Sequence, residues 1–245
     1  MTVAVVTGAS RGIGKAIALR LARDGMDVAV NDIESQRARL EEVKTEIEQM
    51  GRRAEAVVAD VTSESEVERL IQTVVHCFGE LNVFIANAGI ISMNGILTET
   101  VQNWERVLEV ESGVLARLEL LLMRCWNNAE IKQALDALAY SVSKWGIRGL
   151  TQCCAQDLAQ YNINVNAYCP GPVQTDMYEK IDQIRGVSQG AVKWESFNQA
   201  VRTKAALKRG STPEDIADAV SFLAGAQSNM ITGQSIIIDG GMYFS

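Results

Sequence analysis

Tyr140 and Lys144 stand four residues apart in "YSVSK", a spacing that puts both side chains on one face of a helix. A tyrosine hydroxyl titrates at about pH 10, so it serves as an acid near neutrality only where a neighbouring charge favours the phenolate. The Lys144 ammonium is such a charge. The pair suits the transfer of a proton to an oxygen that is becoming an alkoxide, as when hydride reaches the carbon of a ketone.

Hydride needs a carrier, and "TGASRGIG" at 7–14 supplies a place for one. Gly8, Gly12 and Gly14, with Ser10, Arg11 and Ile13 between them, lie where an apolar run gives way to a helical pattern. Glycines are needed there because the backbone must turn tightly and lie against a pyrophosphate, whose charge the helix N-terminus stabilises. Asp32 ends the next apolar run, at the distance where a carboxylate accepts hydrogen bonds from an adenosine ribose. It would repel a 2′-phosphate and so favours NAD. Arg11 pulls toward NADP, since its guanidinium could meet that phosphate. Asp32 also reads as a plain turn residue.

These groups need elements to position them. "VAVVTG" is a continuous β-branched run ended by glycine, the pattern of a parallel strand buried on both faces. Ile13, Ile17 and Leu21 follow at helical spacing up to Gly25. "DVAVND" is a second strand, then a charged helix spans about 35–50. "AEAVVAD" is a third, then a helix capped at Thr62 or Ser63 reaches about Phe78. "LNVFIANAG", "INVNAYCPG" and "SIIIDGG" are further strands, and "TPEDIADAVSFLAG" is a helix with Pro213 in its first turn. Strands alternating with helices, without repeats or a domain boundary, predict one α/β domain: a Rossmann-fold, doubly wound parallel sheet. The stretch from about 173 to 199 reads as polar and loop-like. It is too long for a plain connection, so a mobile lid is expected there.

With these residues in view, the chain resembles a short-chain dehydrogenase/reductase over nearly its whole length. The glycine trio, Asp60–Val61, "NAG" at 87–89, the Tyr140/Lys144 pair, and Pro170, Gly171 and Thr175 fall in the family's order. "YSVSKWGIRGLTQ", "NAYCPGPVQTDMYEKID" and "TGQSIIIDGGMYF" look most like the diacetyl (acetoin) reductases, or butanediol dehydrogenases. The resemblance implies that Asp60 and Val61 hold the adenine, and that Asn87 and Gly89 line the cofactor groove. It implies that Val173 and Thr175 anchor the nicotinamide carboxamide, and that Lys144 also holds the nicotinamide ribose. It implies a small ketone or alcohol as substrate and a homotetramer. Read from the residues alone, Asp60 equally caps a helix and Asn87 equally braces strands.

Two parts of the family pattern are not met. Glu111, in "WERVLEVESGV", stands where the family has an asparagine; it would either face Lys144 and cancel part of its field on Tyr140, or point to solvent. The family's serine, on a strand just before the tyrosine, has no counterpart, because no Ser or Thr occurs between Ser112 and Ser141. Ser141 and Ser143 are not expected to replace it; Asn127 or Asn128 could supply an amide donor. Ile131, Leu135 and Leu138 recur at helical spacing in "AEIKQALDAL", so the strand before the Tyr140 helix is expected to be missing or rewritten. Three readings follow. The first is an active NAD-dependent reductase, and the second a non-catalytic dinucleotide-binding sensor or partner subunit. In the third, 111–139 arises by a splicing or frame change in an otherwise ordinary enzyme.

Composition sets the outer bounds. At 47% hydrophobic over 245 residues the chain can bury one sizeable core, and its net charge of −7 argues against nucleic acid or an anionic membrane as partner. Arg117, Glu119 and Arg124 interrupt the most apolar stretch, so no membrane span is expected. The five cysteines have no metal-ligand spacing and read as reduced, buried thiols. His76, the single histidine, reads as helix filling, so no histidine-based triad or metal site is expected. "MTVAVVTG" runs straight into a strand, and a cytoplasmic location is expected.

Overall fold

The computed structural model describes residues 2–117, 124–128, 137–186 and 193–244. Its elements are β1 (Val3–Thr7), α1 (Gly12–Arg23), β2 (Asp27–Asp32), α2 (Arg37–Gln49), β3 (Ala54–Val58), α3 (Glu64–Phe78) and β4 (Val83–Ala86). Then come α4 (Val101–Arg117), β5 (Arg124–Asn128), α5 (Leu138–Leu158), β6 (Val165–Pro170), α6 (Asp176–Gly186), α7 (Glu195–Lys204), α8 (Pro213–Ala224) and β7 (Ser235–Ile238).

The seven strands among the described residues pair in parallel, in the order β3-β2-β1-β4-β5-β6-β7. Parallel strands covered on both faces must be apolar at every position. β1 obeys this, and alternate residues feed two cores. Val3 and Val5 join Val67, Leu70, Ile147 and Ala155 from α3 and α5. Ala4 and Val6 join Ile17, Leu21, Val43 and Val220 from α1, α2 and α8. The chain winds outward from β1 to β3 and then restarts at β4 on the other side of β1. Crevices for ligands open at that reversal, beyond the carboxyl ends of the strands.

Three expectations are corrected. The strand before the Tyr140 helix is not missing: β5 fills its slot, with Phe84 level with Cys125 on one side and Val165 on the other. Its sequence, "RCWNN", is rewritten and carries no serine. The pairing of β4 and β6 makes it a strand, which no local propensity announces. The helical reading of 129–138 falls mostly outside the described residues; only Ala137 and Leu138 are described, and α5 begins at Leu138.

The 173–199 stretch is not loop-like either. It folds into α6 and the start of α7, while 187–192 lie outside the described residues. Asp182 joins the two helices, accepting from the Ser196 amide at 2.9 Å and also from the Ser196 hydroxyl and the Trp194 amide. Tyr178 stacks on Trp194 and meets Phe197 edge-on. Polar composition hid these helices because their order comes from one buried carboxylate and an aromatic trio.

The third correction concerns the thiols: Cys77 and Cys153 are exposed, and only Cys169 is buried among the four whose side chains are described. His76 is exposed in the last turn of α3, as filling would be.

Candidate active site

Gly8 and Gly12 adopt positive φ of 63° and 57°, which residues with a side chain rarely take. Gly14 is required for space: a Cβ there would lie 2.3 Å from the Gly8 carbonyl oxygen and 2.5 Å from Asn87 Nδ2. The loop between β1 and α1 is therefore bare backbone aimed along a helix N-terminus, a cradle that fits a pyrophosphate. Ile13 packs into the core beneath it.

Asp32 is tied to this loop. Its Oδ2 accepts from the Ser10 hydroxyl at 2.5 Å and the Ser10 amide at 3.3 Å, while Oδ1 accepts from the Ile33 amide at 2.8 Å. Asp32 thus holds the end of β2 against the glycine turn. Arg11 points elsewhere, donating to Asp176 Oδ2 at 3.0 Å at the start of α6.

Beyond β2 and β3 a cavity of about 630 Å³ is lined by Ile33, Arg37, Val58, Asp60, Glu66 and Arg69 among others. The structure brings Asp60 to the cavity, while Val61 is buried in the core. Asp60 Oδ1 accepts from the Thr62 amide at 2.9 Å, and the Asp60 amide donates to Glu66 at 2.8 Å, so Asp60 shapes the turn before α3, whose N-cap position is Ser63 rather than Asp60.

Asn87 braces strands. Its Nδ2 donates to the Thr7 and Gly8 carbonyls at 2.9 and 3.2 Å, and its Oδ1 accepts from the Tyr168 hydroxyl at 3.0 Å. Tyr168 escaped the sequence reading, although a tyrosine within an otherwise apolar strand signals a buried hydroxyl that needs a partner. Burial pushes that hydroxyl well above the usual tyrosine range, and the Glu111 charge adds to the effect, so Tyr168 stays a donor.

On the opposite wall, Pro170 ends β6 and Gly171 lies against β7's end, where a Cβ would come within 2.7 Å of Asp239 Cβ. Val173 is buried and bridges to Ser211. A Cβ on Gly12 would lie 3.5 Å from Thr175 Cγ2, so the two walls of the groove meet there.

Tyr140 and Lys144 face inward from the first turns of α5, 6% and 3% exposed. Lys144 Nζ lies 5.2 Å from the centre of the Tyr140 ring. It also donates to Glu111 Oε2 at 2.6 Å, while Glu111 Oε1 accepts from the Ile90 amide at 2.6 Å. Glu111 is 4% exposed, so of its two readings the inward one holds. The signal was available in sequence: Glu111 follows the buried Val107 by one helical turn and so shares its face. The backbone contact to Ile90 was not readable. Gly89 makes room for it, since a Cβ there would meet Glu111 Oε1 at 2.9 Å.

Val107, Ala137 and Ala139 pack beside Tyr140 with Ile90, Ile91, Met93 and Trp104, an apolar surface against the reacting pair. Ser143 is spent within its own helix, donating to the Tyr140 carbonyl at 2.7 Å. β5 ends on Asn127 and Asn128, level with Ala86 and Tyr168. Among the described residues no cluster could hold a metal ion, and no helix is long and apolar enough to cross a membrane.

The chain is similar in sequence and structure to known proteins. A family profile described as enoyl-(acyl carrier protein) reductase matches residues 8–243. A short-chain dehydrogenase/reductase of Armillaria gallica is 40% identical, over 99% of this chain and 96% of that protein. The L-2,3-butanediol dehydrogenase of Corynebacterium glutamicum is 36% identical, over 99% of both. Among solved structures, a short-chain dehydrogenase of Burkholderia cenocepacia in complex with NADP superposes with a TM-score of 0.86 at 30% identity, covering 98% of this chain and 97% of that one.

Proposed function

The chain belongs to the short-chain dehydrogenase/reductase family of NAD(P)-dependent oxidoreductases, and on that premise we propose that it reduces a small α-diketone or α-hydroxyketone of the diacetyl/acetoin type with NADH. The single observation that carries this reading is the buried Tyr140–Lys144 pair, joined through Glu111 and Ile90 to the "NAG" turn that abuts the glycine loop.

In this reading the nicotinamide, when bound, supplies the hydride. Gly8, Gly12 and Gly14 with the α1 N-terminus hold the pyrophosphate, and Ser10 and Arg11 flank it. Asp32 accepts from the adenosine ribose and disfavours a 2′-phosphate, so NAD is preferred to NADP. Asp60 and Val61 border the adenine; Val173 and Thr175, beyond Pro170 and Gly171, hold the carboxamide. Tyr140 gives its hydroxyl proton to the substrate oxygen as the carbonyl carbon is reduced. Lys144 carries the charge that favours the resulting phenolate. The apolar wall from Ile90 to Trp104 suits a short, uncharged ketone. A homotetramer and a cytoplasmic location belong to the same reading.

A second reading, a dinucleotide-binding sensor or partner subunit without turnover, is favoured by one observation: β5 offers no serine to donate to the substrate oxygen. Loss of one such donor typically lowers kcat by about 10²–10³.

The test pairs two measurements on purified protein. NADH is titrated by fluorescence, then its absorbance is followed with diacetyl and acetoin, for the parent and for Tyr140→Phe. Expected are NADH binding in both proteins and turnover lowered by about 10²–10⁴ in the variant. Binding without any Tyr140-dependent turnover would establish the second reading.

A further inference from the structure

Glu111 links Lys144 to the "NAG" turn, but the chemistry proposed above gives it no role of its own. It is a carboxylate 4% exposed, on an amphipathic helix, with both oxygens engaged: one by Lys144 Nζ and one by a backbone amide, each at 2.6 Å. Isolated carboxylates are not left in apolar surroundings, because desolvation is too costly without a cation and donors. The site is built around this one: Gly89 leaves the space a Cβ would fill, and the turn after β4 aims its amide at Oε1.

We propose that Glu111 is a positioning residue for the Tyr140–Lys144 pair: it holds the ammonium in place and, by offsetting its charge, raises the pH at which Tyr140 gives up its proton. The inference rests on the function proposed above, but it can be tested without turnover.

Charge balance sets the effect. An ammonium has three donor positions and one positive charge. Glu111 takes one donor in a fixed direction, which limits where the rest of the Lys144 head can point. The carboxylate meets the ammonium directly, and the ammonium lies beside the Tyr140 ring, so the two charges act on the phenol with opposite signs. Lys144 still favours the phenolate, by less than it would alone. The consequence depends on direction. Ketone reduction draws on the protonated tyrosine and is served by a higher midpoint. Alcohol oxidation needs the phenolate as base and is confined to more alkaline pH. Glu111 thereby biases the site toward reduction near neutrality.

Among the described residues, the other ionisable groups near the pair do not substitute for it. On β6, Tyr168 stays protonated, and its neighbour Cys169 is a buried thiol. Glu99, before α4, sits at the N-terminal end of α5; burial would raise its carboxyl, but donors including Asn103 and the Thr100 amide hold it below the usual range. Glu111 is the carboxylate to which the Lys144 ammonium donates.

The test is the ultraviolet difference titration of tyrosinate in the parent and in Glu111→Gln, each against the same protein with Tyr140→Phe, so that the Tyr140 signal is isolated. Gln keeps the size and an acceptor for the Ile90 amide while removing the charge. The Tyr140 midpoint should fall by about two pH units in Glu111→Gln, as expected for one charge several ångströms away at an effective dielectric constant of about 20. Where the proteins turn over, the pH at which alcohol oxidation switches on should fall by the same amount. A midpoint that stays put in Glu111→Gln overturns the proposal even if activity falls, because a merely structural role lowers activity without moving the titration. Glu111→Asn is the second variant should Gln fail to fold, with NADH binding as the check of folding. No turnover by any protein, together with a shifted midpoint, would sink the reductase reading and leave this inference standing.

Discussion

Lys144 Nζ donates to Glu111 Oε2 at 2.6 Å, and the two side chains are 4% and 1% exposed. The pair ties α5 to α4, which are packed side by side, and it fixes the ammonium next to the Tyr140 ring. A buried pair of this kind adds little net stability over an apolar replacement, yet removing one partner leaves a stranded charge.

That asymmetry can be measured. Lys144→Met strands Glu111, and urea unfolding should show a loss of about 3–5 kcal/mol. The double variant Lys144→Met/Glu111→Gln removes both charges and should recover at least about half of it. A double variant no more stable than Lys144→Met would mean that the two side chains are not energetically coupled in solution.

Asp32 offers a second prediction. With its carboxylate accepting from Ser10 and in the proposed ribose-binding role, Asp32→Ala should weaken NADH binding about tenfold and improve NADPH binding, narrowing the preference between them. Asp32→Asn should fall between, keeping the bonds to Ser10 without the charge. The readout is fluorescence titration with both cofactors. Unchanged relative affinity in Asp32→Ala would remove Asp32 from cofactor selection.

Asp27 offers a third prediction, on acid stability. Burial alone would raise its carboxyl, but the Arg53 side chain at 2.7 Å, the Arg53 amide and Arg52 at 2.6 Å hold it below the ordinary carboxylate range. A depressed folded value means that the ionised form is favoured in the fold. The stabilisation is therefore whole above about pH 4, where the unfolded group is also ionised, and it is lost as pH falls through the lower folded value. Asp27→Asn should lose about 2 kcal/mol at neutral pH, and its thermal midpoint should fall less steeply than the parent's below about pH 4. Parallel acid profiles for the two proteins would assign the acid sensitivity to another group.

The legible elements share a physical cause. β1, β2, β4 and β6 are buried on both faces, so their apolar runs declare themselves, and the glycine turn declares itself through Gly8, Gly12 and Gly14. α8 is readable from its own ends, because Thr212 and Asp215 close a capping box and Pro213 opens the first turn. β5 is illegible because "RCWNN" has neither a β-branched run nor alternation, and its extended form comes from hydrogen bonds to β4 and β6. The helices α6 and α7 read as loop because the group that joins them, Asp182, looks locally like one more exposed acid.

In the site the division is the same. By itself the sequence determined the chemistry on offer: a tyrosine with a lysine one turn away, a glycine loop for a pyrophosphate, an acid at the end of β2, and the absence of a serine before Tyr140. Spacing along one chain is enough for these, because each lies within a single element or at its end. Only the tertiary structure decided that Glu111 turns inward to Lys144, that Arg11 turns away to Asp176, and that Asn87 is held by Tyr168. Those pairings join residues from 33 to 165 positions apart. What selects them is the space and the donors left when helices pack on a sheet, a quantity no local pattern carries.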